Sequence, residues 1–363
     1  MLTQEQIDHL ADAALDAFNE LDAELRARAG LEVLKLEAAD VDKLRTELQL
    51  ASRKSARDIE ILIRDTLQSA AESSLAGDEK VYEAARVAGL VAPYAPVEES
   101  GVLNELLRSG VASAQSMANL VRTSAVEAVM SDFIDALDSA MLSVVAPDGV
   151  GVDAATRKAI SKIIGNTSTV TYAQADGTVI EQGLYGAVRR AVATSANQTT
   201  ARLTLARARE IGGAKFEVSA HLGARPEHAE WQGKVYTEEE LYTVCGYGDG
   251  AGLAGWNCRH TFGLYFEGLS EPTDWSWADD PDGEQYELSQ RQRESERYIR
   301  QYKGRANSFR EVERGASDSA ARTWAKAEKE RNTALVRRWQ TEADRVAGLR
   351  DGARRKAREV AGL

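Results

Sequence analysis

GYGDGAGLAGWNCRH, residues 246–260, sets the character of the fold. Five glycines at near-alternate positions run into Trp256, Cys258 and His260, a texture unlike the charged, alanine-rich sequence that makes up most of the chain. Such a run suits tight turns and close backbone approach, and it cannot sit inside a stable helix. A phosphate-cradling loop is excluded by register. No Gly-Lys-Ser/Thr ending follows, and the flanks read helix before and strand after, the reverse of a nucleotide-binding start. The stretch therefore marks a small mixed module inside a chain that otherwise reads as helix.

Working outward, KFEVSAHLG (215–223) alternates as a strand, with Phe216, Val218 and Ala220 on one face and Glu217, Ser219 and His221 on the other. In ARPEHAEWQGK (224–234), Pro226 suits the first helical position, Glu227 favours the helix N-terminus, and Gly233 ends the turn. A short helix results, with His228 and Trp231 on one side. Thr237 and Glu240 form a capping box for a second short helix. After the glycines, NCRHTFGLYFEG (257–268) alternates again and predicts a strand with Cys258, His260, Phe262, Leu264 and Phe266 on a buried face. The glycine loop, with Gly246, Gly248, Gly252 and Gly255, is expected to pack around Trp231 and Trp256, indoles and the His/Cys cluster substituting for a large core.

All six tryptophans lie beyond residue 230, and three of the four histidines and both cysteines fall between His221 and His260. His221, His228, Cys258 and His260 supply the four nitrogen and sulfur ligands that a closed tetrahedral zinc site requires. Residues two apart on a strand point the same way, so Cys258 and His260 can reach one ion. The competing interpretation makes His228 and His260 hydrogen-bonded core histidines and Cys258 a small buried side chain. A Cys/His nucleophile drawn from the same residues lacks any mark of an oxyanion donor or nucleophile elbow, so the sequence offers no positive argument for an enzyme.

The flanks read as amphipathic helix. Ile7, Leu10, Ala14, Phe18, Leu21 and Leu25 recur on one face behind a capping box at Thr3 and Gln6. Further helices are predicted near 41–72, 79–90 and 101–144, broken by LAGDEK and VAPYAPVEESG, then near 153–164, with GNTSTVTYAQADGT as a loop. A long helix ends at Gly212 and Gly213. From about Tyr286 onward the chain is nearly all helix former, with YKGRANS and ERGASDS as interruptions. Its Tyr298, Tyr302, Trp324, Leu335 and Trp339 sustain no heptad seam, so it needs a partner surface or stays loosely docked.

The 363 residues are 43% apolar, 28% charged and 6% aromatic, the profile of a folded, helix-leaning protein. A net charge of −12 disfavours a phosphate backbone over the whole surface, yet from Glu284 onward 20 Lys and Arg stand against 13 Asp and Glu. Arg354, Arg355, Lys356 and Arg358 are candidate contacts to DNA phosphates. Two cysteines and a start without basic or apolar leader regions imply a reducing compartment, and no apolar run predicts membrane insertion.

VSAHLGARPEHAEWQGKVY and GYGDGAGLAGWNCRHTF together resemble the phage minor capsid protein family (the minor capsid protein 2 type), related to the head-morphogenesis proteins typified by phage Mu protein F. The motif positions are Gly223, Arg225, Pro226, Trp231, Gln232, Gly233, the loop glycines, Trp256, Asn257 and Arg259. Relatives often read Asn-Cys-Arg-Cys where this chain has Asn257, Cys258, Arg259 and His260, a change that keeps a zinc ligand type. The resemblance implies a virion structural protein assembled in the host cytoplasm. Its implied partners are the portal and other head proteins, and the packaged DNA through the basic C-terminus.

The expectation is thus a mainly α chain with a small α+β module: a helical region over 1–145 whose apolar stripe is a candidate docking face for the portal or other head proteins, a module of the Mu F type over 146–275 with its core at 215–268, and a charged helical region over 276–363. The expected role is a non-enzymatic minor head protein, with zinc as the one candidate cofactor. The rival reading is a metal- or thiol-dependent hydrolase or nuclease delivered with the genome.

Overall fold

A computed structural model describes residues 12–96, 101–146, 151–166, 168–173 and 179–361. The capping box expected at Thr3 and Gln6 lies outside them. Helices α1 (Asp12–Val33), α2 (Val41–Val87), α3 (Gly101–Val145) and α4 (Val152–Gly165) come first, followed by a hairpin of β1 (Thr169–Ala173) and β2 (Val179–Gly183). Helix α5 (Leu184–Ile211) leads into the mixed module: β3 (Lys215–Val218), α6 (Pro226–Ala229), β4 (Val235–Tyr236), α7 (Glu238–Thr243) and β5 (Phe262–Tyr265). Two long helices, α8 (Glu284–Gly315) and α9 (Ser319–Ala361), follow. The fold is mainly α with a small α+β module, as the sequence predicts. Among the described residues no helix is long and apolar enough to cross a membrane.

Several boundaries move. Helix α2 runs unbroken through LAGDEK because Ser74, Asp78, Tyr82 and Ala85 continue its buried face, and one interior glycine costs only about 1 kcal/mol. The supposed loop after α4 holds the β1–β2 hairpin, in which Thr169 pairs with Gly183 and Tyr172 with Ile180. YKGRANS lies within α8. There Gly304 passes α1 so closely that an added Cβ would meet Asn19 Oδ1 at 3.2 Å, and Ser308 Oγ donates to the Ala23 carbonyl at 3.0 Å. The glycine is a crossing point and not a break.

One apolar cluster joins Leu15, Phe18, Leu21 and Leu25 of α1 to Leu44, Leu48, Ile59 and Ile63 of α2, Val129, Met130 and Phe133 of α3, Ile160, Ile163 and Ile164 of α4, and Val188 and Val192 of α5. Phe309 and Val312 of α8 and Ala325 of α9 belong to it as well, so the partner surface that the charged C-terminal helices need is supplied by this chain. A second cluster builds the module: Phe216, Val218, Trp231, Tyr236, Leu241, Leu253, Cys258, Phe262, Leu264 and Phe266 pack on Ala201, Leu205 and Ala208 of α5 and on Tyr82 and Ala85 of α2. Its antiparallel sheet has the order β4-β3-β5, with Phe216 opposite both Tyr236 and Leu264. Arg207, buried at the α2–α5 contact, bonds Glu79 at 2.7 Å, Glu210 at 3.0 Å and the Ala95 carbonyl at 2.8 Å, which offsets the cost of taking its charge out of water.

Candidate functional site

The glycine stretch folds back on itself. Leu253 N donates to the Cys245 carbonyl at 2.9 Å and Trp256 N to the Gly250 carbonyl at 2.7 Å. Neither closure tolerates a side chain: a Cβ on Gly252 would lie 2.1 Å from Gly246 O, and one on Gly255 would lie 2.4 Å from Gly250 O. Gly246 and Gly248 turn the chain with φ of +65° and +91°. The indole of Trp256 lies over Gly250, although it remains 49% exposed, while Trp231 is buried. Trp256 thus covers the loop from the surface, while Trp231 shares the buried cluster of the module with Leu253 and Ala254 of the loop.

Pro226 begins α6 and brings His228 inward, where its ring lies 4.6 Å from Trp231 between centroids. Strand β5 starts only at Phe262, so Cys258 and His260 enter the site from non-strand backbone, contrary to the expected longer strand. Two features hold that segment instead. Asn257 takes a left-handed φ of +54°, and the buried Asn197 amide of α5 donates to the carbonyls of Cys258 at 3.2 Å and His260 at 3.0 Å. Asn197 had no signal in the sequence beyond a polar residue in a helix.

The outcome is a triangle of ligand-type atoms. His228 Nδ1 and His260 Nδ1 lie 3.2 Å apart, and Cys258 Sγ lies 3.9 Å from the first and 3.7 Å from the second. All three residues are buried. His260 Nε2 faces Gln232 Oε1 at 2.9 Å, and His228 Nε2 faces the Ala251 carbonyl of the glycine loop at 2.9 Å. Arg225 Nη2 also approaches His228 Nε2 at 3.0 Å and the Trp256 carbonyl at 3.4 Å. Gln232 Oε1 accepts a second bond from His221 N at 3.1 Å.

His221 does not join the triangle. It stacks on His260 with centroids 4.4 Å apart, and its Nδ1 is buried without a hydrogen-bond partner. Three of the four expected ligands are therefore brought together. Burial holds the His221 imidazole down to about 3, with the Arg259 charge acting in the same direction. Burial also keeps His228 and His260 below the ordinary histidine value and raises the Cys258 thiol. A thiol raised in this way is a poor nucleophile. Cys245, pushed up to about 12 by burial, lies outside the triangle.

The remaining motif residues frame this site. Gly223, at φ +76°, turns against the first residues of α8, where a Cβ would meet Gln285 O at 2.8 Å. Gly233, at φ +69°, accepts the Trp275 side chain against its Cα. Glu217, expected on a polar face, is buried and accepts from Thr273 N at 2.7 Å and Trp275 Nε1 at 3.0 Å. Arg259 is half-buried. Asn257 also borders a cavity of about 530 Å³ between α1 and α8, lined by Arg26, Arg189, Arg297 and Arg305 among others. Arg354, Arg355, Lys356 and Arg358 lie on α9, and their side chains are outside the described residues.

A family model described as Phage minor capsid protein 2 matches residues 35–339, which takes in α2 through about the first half of α9 and the whole His/Cys site. No curated protein and no solved structure matched the chain.

Proposed function

We propose that this chain, which belongs to the phage minor capsid protein 2 family, is built into the head beside the portal, aids head morphogenesis, and meets packaged DNA through its basic C-terminal helix. Family membership itself makes it a structural protein of the phage head that associates with other head proteins. The observation that supports the reading is the length of the match, which covers the glycine-rich module and the helical body from α2 through α8, and not the module alone.

The chemistry of the module supports a scaffold over an enzyme. Its thiol is buried and raised, its imidazoles are held neutral by burial, and each is engaged with a neighbouring ring, carbonyl or amide. An acidic body with a net-basic final segment suits a protein that touches other proteins along most of its surface and phosphates at one end.

Mass spectrometry of purified virions, together with pulldowns on the portal protein, tests the reading. The expected result is this chain as a low-copy particle component retained by the portal. Virions that lack it overturn the proposal. The DNA contact has its own check: binding to duplex DNA should fall steeply with salt and disappear on truncation after Gly348, and binding that survives truncation removes the C-terminal helix from the interface.

A further inference from the structure

We propose that His228 Nδ1, His260 Nδ1 and Cys258 Sγ hold a zinc ion that pins helix α6 and the glycine loop to the approach of β5. For zinc bonded to nitrogen at about 2.0 Å and to sulfur at about 2.3 Å, tetrahedral angles place two nitrogens about 3.3 Å apart and nitrogen and sulfur about 3.5 Å apart. The observed separations of 3.2, 3.7 and 3.9 Å come within a few tenths of an ångström of that triangle.

The outer contacts point the same way. A metal-bound imidazole donates its other ring N–H to a carbonyl, amide or carboxylate oxygen, which fixes the tautomer. His260 Nε2 has Gln232 Oε1 for this purpose, and His228 Nε2 has Ala251 O. With both Nε2 atoms protonated, two Nδ1 lone pairs face each other at 3.2 Å beside a sulfur, a repulsion that a cation among them relieves. The metal-free alternative has Arg225 donate to His228 Nε2 and His228 Nδ1–H donate to His260 Nδ1. That proton satisfies the two rings and leaves the sulfur with weak contacts, among them His260 Nδ1 at 3.7 Å, His228 Nδ1 at 3.9 Å and the His260 carbonyl at 3.8 Å, whereas one ion accounts for all three sides of the triangle.

Two imidazoles and a thiolate are borderline-to-soft ligands that select zinc over magnesium or calcium. Binding releases the thiol proton, and the ion then neutralises the buried thiolate. The three side chains fill three of four tetrahedral positions. Because Ala251 belongs to the glycine loop, the loop's tight closure acquires a purpose: it presents a main-chain carbonyl to the outer face of a ligand.

This inference does not depend on the portal reading. The full-length chain, purified without chelator or affinity metal, should carry about one zinc by elemental analysis, and Cys258→Ser and His260→Gln should lower this below about 0.2 per chain. Cobalt(II) added to chelator-treated wild-type protein should give a thiolate-to-cobalt charge-transfer band that Cys258→Ser abolishes. The cobalt readout uses the unaltered chain, so a variant that fails to fold leaves the proposal testable. Wild-type protein with less than about 0.2 zinc and no charge-transfer band overturns the proposal, as does unchanged zinc content in a folded Cys258→Ser chain.

Discussion

At Gly252 a methyl group would stand 2.1 Å from Gly246 O and 2.8 Å from Cys245 O. Both oxygens already accept main-chain bonds, from Asp249 N and Leu253 N, so neither can yield without opening the loop. Overpacking of this kind costs about 1–3 kcal/mol, added to the loss of the Ala251 carbonyl from His228. Gly268 offers the contrast: its φ is +78° but a Cβ there meets nothing within 4 Å, leaving only left-handed strain of about 1 kcal/mol. Gly252→Ala should therefore lower the urea midpoint more than Gly268→Ala; equal shifts would mean that the loop closure is not tight. A second residue-scale effect lies in Asp78, whose carboxyl is raised to about 6, chiefly by burial, even though Thr204 Oγ1 donates to it at 2.6 Å. A raised carboxyl leaves the fold at full stability below about pH 4, and that stability is lost as pH rises through 6. Asp78→Asn, which keeps an oxygen for Thr204, should remove this dependence and raise stability at pH 8 by about 2–3 kcal/mol relative to wild type, read from unfolding curves at pH 4 and 8.

At the scale of elements, α8 crosses α1 through small residues: Gly304 against Asn19, Ser308 on the Ala23 carbonyl, and Gly315 against Leu31. Ser308 is 1% exposed, so Ser308→Leu must push the two helices apart and should cost about 1–3 kcal/mol in thermal or urea unfolding. A neutral outcome would mean that α8 is not closely docked. This contact also shows what could not be read along the chain. Gly304 looked like an interruption because glycine signals a turn locally, and only the neighbouring helix reveals that it makes room for a crossing. The same holds for the final pair: Tyr298 stacks on Trp339 at 4.2 Å and Phe309 meets Trp324 edge-on at 5.5 Å, pairings between antiparallel helices that no heptad spacing announces. What was legible depended on local rules: Pro226 at the start of its helix, the Thr237 and Glu240 capping box, and the left-handed Gly212 after α5. Within the site, residue chemistry identified His228, Cys258 and His260, but His221 was drawn in by proximity in sequence and stacks instead of converging. Gln232, a motif position, meets His260 through its side-chain Oε1, whereas Asn197 and the Ala251 carbonyl, which also position the triangle, act through a long-range contact and through main chain that carries no residue signature.

Across the whole molecule, α2 and α5 contribute to both apolar clusters, so the glycine-rich module leans on the helical body through two continuous helices. Among the described residues, an apolar face at the end of α3 is left uncovered. Met141, Leu142 and Val145 crowd the last turn of that helix, with Leu142 69% and Val145 75% exposed, while Phe133, Ala136 and Ala140 bury the opposite side. Single exposed apolar residues are ordinary, but three within one turn suit a protein contact, and the portal reading supplies the occupant. Leu142→Asp with Val145→Asp leaves the internal cluster intact, so the melting temperature should move by no more than a surface substitution allows, about 0.5 kcal/mol in stability. Desolvating two carboxylates at an apolar interface should nevertheless lower capture by the portal protein at least about tenfold, equivalent to about 1.4 kcal/mol, and reduce the copy of this chain in virions accordingly. Unchanged capture with an unchanged melting temperature would move the docking face elsewhere on the helical body, since the substitution would then have altered the surface without touching the contact.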